Sequence, residues 1–201
     1  KKPEPSVLFN GNHKEKVINL LEQLLEKTTI LQNQIYKNPE SMIHNEGFIY
    51  KTKVKNTEKV ITFGDFHGSY HTFFRHMIRL ETLGILTFEP SESSESIDSI
   101  DKLVGALTNN SNSNSLDLDK LPKITITHYY RLLFLGDILD RGMHALEIVI
   151  FILILIKSNN QDENGNPLEE PRIIYNRGNH EEYMTYKDFR IEYKSKIGND
   201  D

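Results

Sequence analysis

The 201-residue chain has no cysteine. That excludes disulfide stapling and any thiolate nucleophile, and leaves the redox compartment open. Long apolar runs are also missing. The longest, from Ile148 to Ile156, falls well short of the roughly 20 residues that a membrane-crossing helix needs. Behind Lys1-Lys2-Pro3-Glu4-Pro5 there is no apolar stretch of the kind that forms the middle of a signal peptide. Positive charge is in deficit, with 24 Lys and Arg against 29 Asp and Glu and a net charge of −5. A general nucleic-acid binder normally carries the opposite balance. No internal repeat is evident. What remains is 37% hydrophobic and 26% charged, the composition of an ordinary soluble protein, long enough for one sizeable core. The expectation is a soluble protein with no membrane span and no nucleic-acid partner, either cytoplasmic or secreted into a host cell.

Three short blocks carry the chemistry: Gly-Asp-Phe-His-Gly at 64–68, Gly-Asp-Ile-Leu-Asp-Arg-Gly at 136–142, and Arg-Gly-Asn-His-Glu at 177–181. Each follows an apolar run that reads as a strand, at 59–63, 130–135 and 172–175. Helices are expected over 69–83, where Gly84 is a plausible stop, and over 143–157. The second of these is rich in β-branched residues and also fits a strand, although its length favours a buried helix. Strand, motif and helix in repeated order imply an α/β fold with parallel strands. The motifs then fall at the C-terminal strand ends, where open α/β sheets place their sites.

Before these units, helical spacing of Val17, Leu20, Leu21, Leu24, Leu25, Ile30 and Leu31 predicts a helix over 14–37, ended by Asn38-Pro39. Residues 1–55 are read as a helical extension, with a weak strand at 48–54, and 56–201 as the part that carries the three blocks. Within it, 90–121 turns to Ser, Glu and Asn, the composition of a mobile insertion, with room for a short helix at 100–107. The final residues, 198–201, read as a loop.

Asp65 and His67 flank Phe66, so in a tight loop both can face one cation. Asp137 leaves its strand as Asp65 does, and its two oxygens can bridge two metals about 4 Å apart. Arg141 suits bidentate capture of phosphoryl oxygens. Asn179 offers a neutral oxygen, and its neighbour His180 a proton donor. Taken singly, each block is also the composition of an Asx turn, a surface ion pair or a plain turn. Three in order, each behind a strand, are hard to assign to coincidence. Of the other histidines, His71 and His76 read as surface or core-edge helix residues. His144 also has a bland reading, with the cleft as the lesser alternative because it closely follows Gly142, and His128 reads as a strand residue. His13 and His44 have no context.

The pattern GDxHG, GDxxDRG, GNHE resembles the phosphoprotein phosphatase family of metallophosphoesterases, from about Val60 to Ile197. Leu133-Phe134-Leu135, Arg177 and the segment 186–193 also suit that branch. The low-complexity tracts are loosely similar to secreted bacterial effector phosphatases, such as those of Legionella. The resemblance implies a calcineurin-like fold, a central β-sheet sandwich flanked by helices. It implies two divalent metal ions, manganese first, with iron or zinc as alternatives. Asp65 and His67 would hold one metal, Asp137 would bridge, and Asn179 would hold the other. His180 would protonate the leaving oxygen, Asp140 would orient His180, and Arg141, with Asn179 and His180, would bind the phosphate. The implied reaction is single-step hydrolysis of a phosphoprotein serine or threonine ester by a hydroxide that the two metals activate. Tyrosine phosphatases and dinucleotide polyphosphate hydrolases on the same scaffold, or an inactive phosphatase-like binding module, are the alternatives. The family uses two further histidine ligands downstream of its third block, and no histidine here lies beyond 180. The chain is therefore expected to be the N-terminal part of a longer protein whose remainder supplies them. Alone, it should hold at most one ion firmly and hydrolyse phosphate esters poorly.

Overall fold

The computed structural model describes residues 13–36, 52–89, 123–182 and 187–197. The expected insertion at 90–121, the short helix at 100–107, residues 48–51 of the weak strand and the final loop lie outside them. Residues 52–54 are not part of a strand.

The elements run α1 (His13–Tyr36), β1 (Lys59–Phe63), α2 (Tyr70–Thr82), β2 (Leu86–Glu89), β3 (Lys123–Ile126), β4 (Tyr130–Phe134), α3 (Ala145–Asn159), β5 (Ile173–Tyr175) and α4 (Lys187–Ile197). A 3-10 turn at Asn179–Glu181 precedes α4. Three strands form a parallel sheet in the order β1-β4-β5, with Phe63 beside Phe134 and Phe134 beside Tyr175. This is the expected side-by-side arrangement, and it brings the three motif-bearing loops to one end. β2 and β3 form a separate antiparallel pair, which the sequence reading did not include. His128, expected in a strand, instead lies in the turn between β3 and β4.

Helix α3 settles the helix-or-strand ambiguity of 143–157. Ile148, Ile150, Phe151, Ile152, Ile154, Leu155 and Ile156 are all buried. A helix covered almost all round can be apolar all round, and burial overrides the weak β preference of its isoleucines. Its polar end is equally buried and stitches strands to it. The Asn159 Oδ1 accepts the Ile126 N–H, and its Nδ2 donates to the Ile124 carbonyl. Asn160 does the same for β5, accepting from Arg172 and Ile173 and donating to the Ile173 carbonyl.

Helix α2 presents Tyr70, Phe73, Phe74, Met77 and Leu80 to the core. Phe73 meets Phe134 and Phe151. The helix ends as predicted at Gly84 (φ 66). The Gly84 N–H reaches the Glu81 carbonyl and the Ile85 N–H the Leu80 carbonyl, a Schellman stop closed by the buried pair Leu80 and Ile85. On α1, Val17, Leu20, Leu21, Leu24 and Leu31 are buried, while Leu25 and Ile30 face outward. At the sheet end away from the motifs, buried Arg131 is tied to Glu58, Thr52 and the Pro171 carbonyl. Among the described residues no helix is long and apolar enough to cross a membrane.

Candidate metal centre

Every strand of the sheet delivers its motif into a loop, and the second loop is bonded to both of the others. The N–H groups of Phe66 and His67 donate to the Asp137 carbonyl, and the Gly68 N–H to that of Ile138. The loops approach backbone to backbone. A Cβ on Gly142 would stand 2.4 Å from the His67 carbonyl oxygen, and one on Gly136 would stand 2.2 Å from the Gly178 nitrogen. Those glycines are there because nothing larger fits.

Among the described residues, four that are not glycine take left-handed backbone conformations: His67 (φ 46), Asp137 (φ 51), Asp140 (φ 64) and Arg141 (φ 61). Such residues are uncommon and persist where surrounding contacts over-determine them. All four belong to the first two motifs.

Phe66 is buried against Phe63 and Phe73, which turns Asp65 and His67 outward on either side of it. One donor atom each from Asp65, His67 and Asp137 lies within 4.8 Å of the others. The His67 Nδ1 is 3.1 Å from the Leu139 carbonyl, which can only accept, so Nδ1 carries the proton. In the neutral ring the lone pair is then on Nε2, which lies 3.7 Å from the Asp65 Oδ2. An imidazole fixed through one nitrogen, beside two carboxylates, fits a hard or borderline divalent cation. The site can thus hold a metal ion through Asp65, His67 and Asp137.

Asn179, the fourth expected ligand, is exposed at the start of the 3-10 turn. It is adjacent to His180, whose N–H donates to the Asp137 Oδ1 at 3.0 Å. Gly178 permits this contact, since a Cβ there would lie 2.2 Å from the same oxygen.

The rings of His67 and His180 meet edge to face at 4.8 Å. The His180 Nδ1 is 3.1 Å from the Oδ2 of Asp140, which is 3% exposed. Its Nε2 is 3.2 Å from the Arg141 Nη2. The carboxylate accepts and the guanidinium only donates, so His180 is in the neutral Nδ1–H form here. The exposed guanidinium of Arg141 therefore stands directly at the nitrogen that faces the site.

One residue that sequence reasoning missed is Glu181. Its Oε2 accepts from the N–H groups of Asp137 and Gly178, each at 2.8 Å. Its Oε1 accepts from Ile138 at 2.7 Å and Leu139 at 3.2 Å. One carboxylate thus folds the whole start of the second loop. Tyr175 stands beside it, its hydroxyl pushed well above the usual value by burial and by the Glu181 and Asp137 carboxylates. The available signal was a carboxylate three residues after Gly178, the spacing at which a side chain reaches back to a turn's first N–H.

His144 does not join the metal group. It sits behind the second loop, with Nδ1 buried 3.6 Å from Glu147 and its ring edge-on to Tyr70. Burial, then Lys196, holds its pKa below the ordinary value. His76 packs on Phe63 and Phe66, and His71 is exposed, as the core-edge and surface readings expected. Comparison with family models, with curated proteins and with solved structures finds no match.

Proposed function

We propose that the chain carries the catalytic half-site of a metal-dependent phosphomonoesterase of calcineurin-like fold, acting on phosphoserine or phosphothreonine in proteins. The observation that carries this reading is the Asp65, His67 and Asp137 group with the Asp140–His180–Arg141 chain beside it. Asp65, His67 and the shared Asp137 would hold one divalent cation, and Asp137 with Asn179 a second. Two such cations supply Lewis acidity to phosphoryl oxygens and acidify water. Manganese suits the mixed oxygen and imidazole donors, as do iron and zinc.

The protein's own residues divide the remaining work. Arg141 binds two phosphoryl oxygens through its planar fork. Drawn onto the phosphate, it leaves the His180 Nε2. Freed of the guanidinium, that nitrogen takes a proton from solvent to give the imidazolium, and passes it to the departing alkoxide when its bond to phosphorus breaks, which returns the ring to the neutral Nδ1–H form. Asp140 fixes the ring through Nδ1 and stabilises the imidazolium, as an orienting carboxylate does for a catalytic histidine. The net reaction consumes one water and yields an alcohol and inorganic phosphate.

Among the described residues the first cation would have three protein donors and the second two. One manganese ion per chain should therefore bind firmly in calorimetric titration, and Asp137→Asn should weaken it at least tenfold. Slow hydrolysis of an aryl phosphate and of a phosphoserine peptide should appear with manganese and vanish in the same variant. Hydrolysis that persists in Asp137→Asn, or firm binding that does not change, would overturn the proposal. Preference for a phosphotyrosine peptide would overturn its substrate class alone.

A further inference from the structure

Helix α4 and the segment that leads into α3 cap one another. The N–H of Phe189, in the first turn of α4, donates to the Asp140 Oδ1 at 2.9 Å. In return the Glu192 carboxylate, fully buried on α4, accepts the N–H groups of Ala145 and Leu146, the first two residues of α3, each at 3.0 Å. First-turn N–H groups have no partner within their own helix, so each carboxylate satisfies donors that would otherwise be orphaned. Lys196, one turn beyond Glu192, closes the arrangement. Its Nζ reaches the Met143 carbonyl at 2.6 Å, both oxygens of buried Glu147 at 2.7 Å and Glu192 at 2.8 Å.

Asp140 therefore has two tasks on its two oxygens. Oδ1 caps α4, and Oδ2 holds the His180 Nδ1. A carboxylate gripped through one oxygen has its other oxygen aimed. The grip depends on α4 lying where it does, and α4 is fixed to α3 by Glu192 and Lys196.

We infer that Glu192 and Lys196 are positioning residues for His180. They dock α4 so that the Phe189 N–H orients Asp140, and Asp140 in turn holds the imidazole in its Nδ1–H form. They touch neither the metal group nor the substrate. The inference rests on the proposed reaction for its effect on turnover, but its structural content does not.

The test uses the full chain with Glu192→Ala, Glu192→Gln and Lys196→Met. Two readouts are taken: imidazole 15N shifts of His180, and steady-state kinetics on an aryl phosphate with manganese. In the wild type the shifts should report Nδ1–H. In Glu192→Ala they should move toward the Nε2–H form that free imidazole side chains favour. Turnover should fall on the order of tenfold to a hundredfold, part of the 10² to 10⁴ that a general acid contributes. KM and manganese affinity should change less than threefold. Glu192→Gln, which keeps one acceptor oxygen, should be intermediate. Unchanged 15N shifts in folded variants overturn the inference, even where turnover falls. If Glu192→Ala does not fold, Glu192→Gln and Lys196→Met decide. If the wild type has no activity, the phosphatase reading fails while the 15N arm still judges the positioning role.

Discussion

Replacing Glu181 with glutamine tests whether one carboxylate holds the second loop in its left-handed turn. The native side chain accepts four backbone N–H bonds of 2.7 to 3.2 Å, two on each oxygen. Glutamine keeps one oxygen and puts an NH2 group where the other stood. Two amide N–H groups then face a donor and lose their partner, while the two that remain lose the charge assistance. A hydrogen bond to a charged group contributes about 1.5–3 kcal/mol and an orphaned donor costs about 1–3 kcal/mol, and this site is only half-buried, so the sum falls to roughly 2–4 kcal/mol. Native stability totals about 5–15 kcal/mol, so the change should be plain. Urea unfolding followed by circular dichroism should show a lower midpoint with an unchanged slope. Manganese affinity should fall with it, because Asp137 is the first residue that Glu181 holds. A loss under about 0.5 kcal/mol, the scatter of ordinary surface substitutions, would mean that the loop keeps its shape without the carboxylate and would refute the reasoning.

Three further outcomes are expected. His180→Ala should lower turnover at least a hundredfold while manganese binding, measured by calorimetry, stays near wild type; an emptied site would make His180 a ligand. Gly178→Ala should lower the thermal midpoint and manganese affinity together, because its Cβ would stand 2.2 Å from the Asp137 Oδ1 and 2.5 Å from the Asp137 nitrogen. Its φ of −85° is ordinary, so any loss is steric rather than conformational. Burial pushes the Glu147 carboxyl from its ordinary 4.5 up to about 7, against the pull of Lys196. The folded state then holds this proton more tightly than the unfolded state does. The resulting stability is fully present below about pH 4.5 and is lost as pH rises through about 7. Thermal midpoints of Glu147→Gln should lack that fall between pH 5 and 7, and an identical pH dependence in both proteins would contradict the burial argument.

The parallel sheet was legible because each of its strands is a short apolar run that ends at a glycine and a chemical side chain. The pairing of Asp65, His67 and Asp137 was legible for the same reason, since residues just past neighbouring parallel strands must meet. The pair β2 and β3 was not. Leu86–Glu89 and Lys123–Ile126 are four-residue strands far apart in sequence, and Thr87, Glu89 and Lys123 make them read as polar. What fixes β3 is Asn159 and Ser158 at the end of α3, which bond to its backbone through buried side chains. In sequence those residues look like the start of a polar loop, because nothing local announces that a carboxamide will be buried against a strand edge. Glu192 was hidden in the same way. A glutamate on a short polar helix reads as solvent-exposed until the start of another helix is brought to it.

The composition of the motifs then follows from packing as much as from chemistry. A cation site of this size needs three loops within a few ångströms, and side chains at every position would keep them apart. Gly68 and Gly142 face each other, as do Gly136 and Gly178, and each pair removes a Cβ that would collide with the opposite backbone. Loops that meet at their backbones must turn sharply afterwards to aim their side chains back at the gap, and His67, Asp137, Asp140 and Arg141 do so with positive φ. Such conformations cost on the order of 1–3 kcal/mol each. They are offset by the bonds that converge on the same residues: Leu139 on His67, Glu181 and the His180 N–H on Asp137, and Phe189 on Asp140. Glu181 and α4 therefore belong to the site as firmly as the residues that would touch a metal. A version of these loops with all the ligands and no Glu181 would have the right side chains on a backbone free to relax away from them.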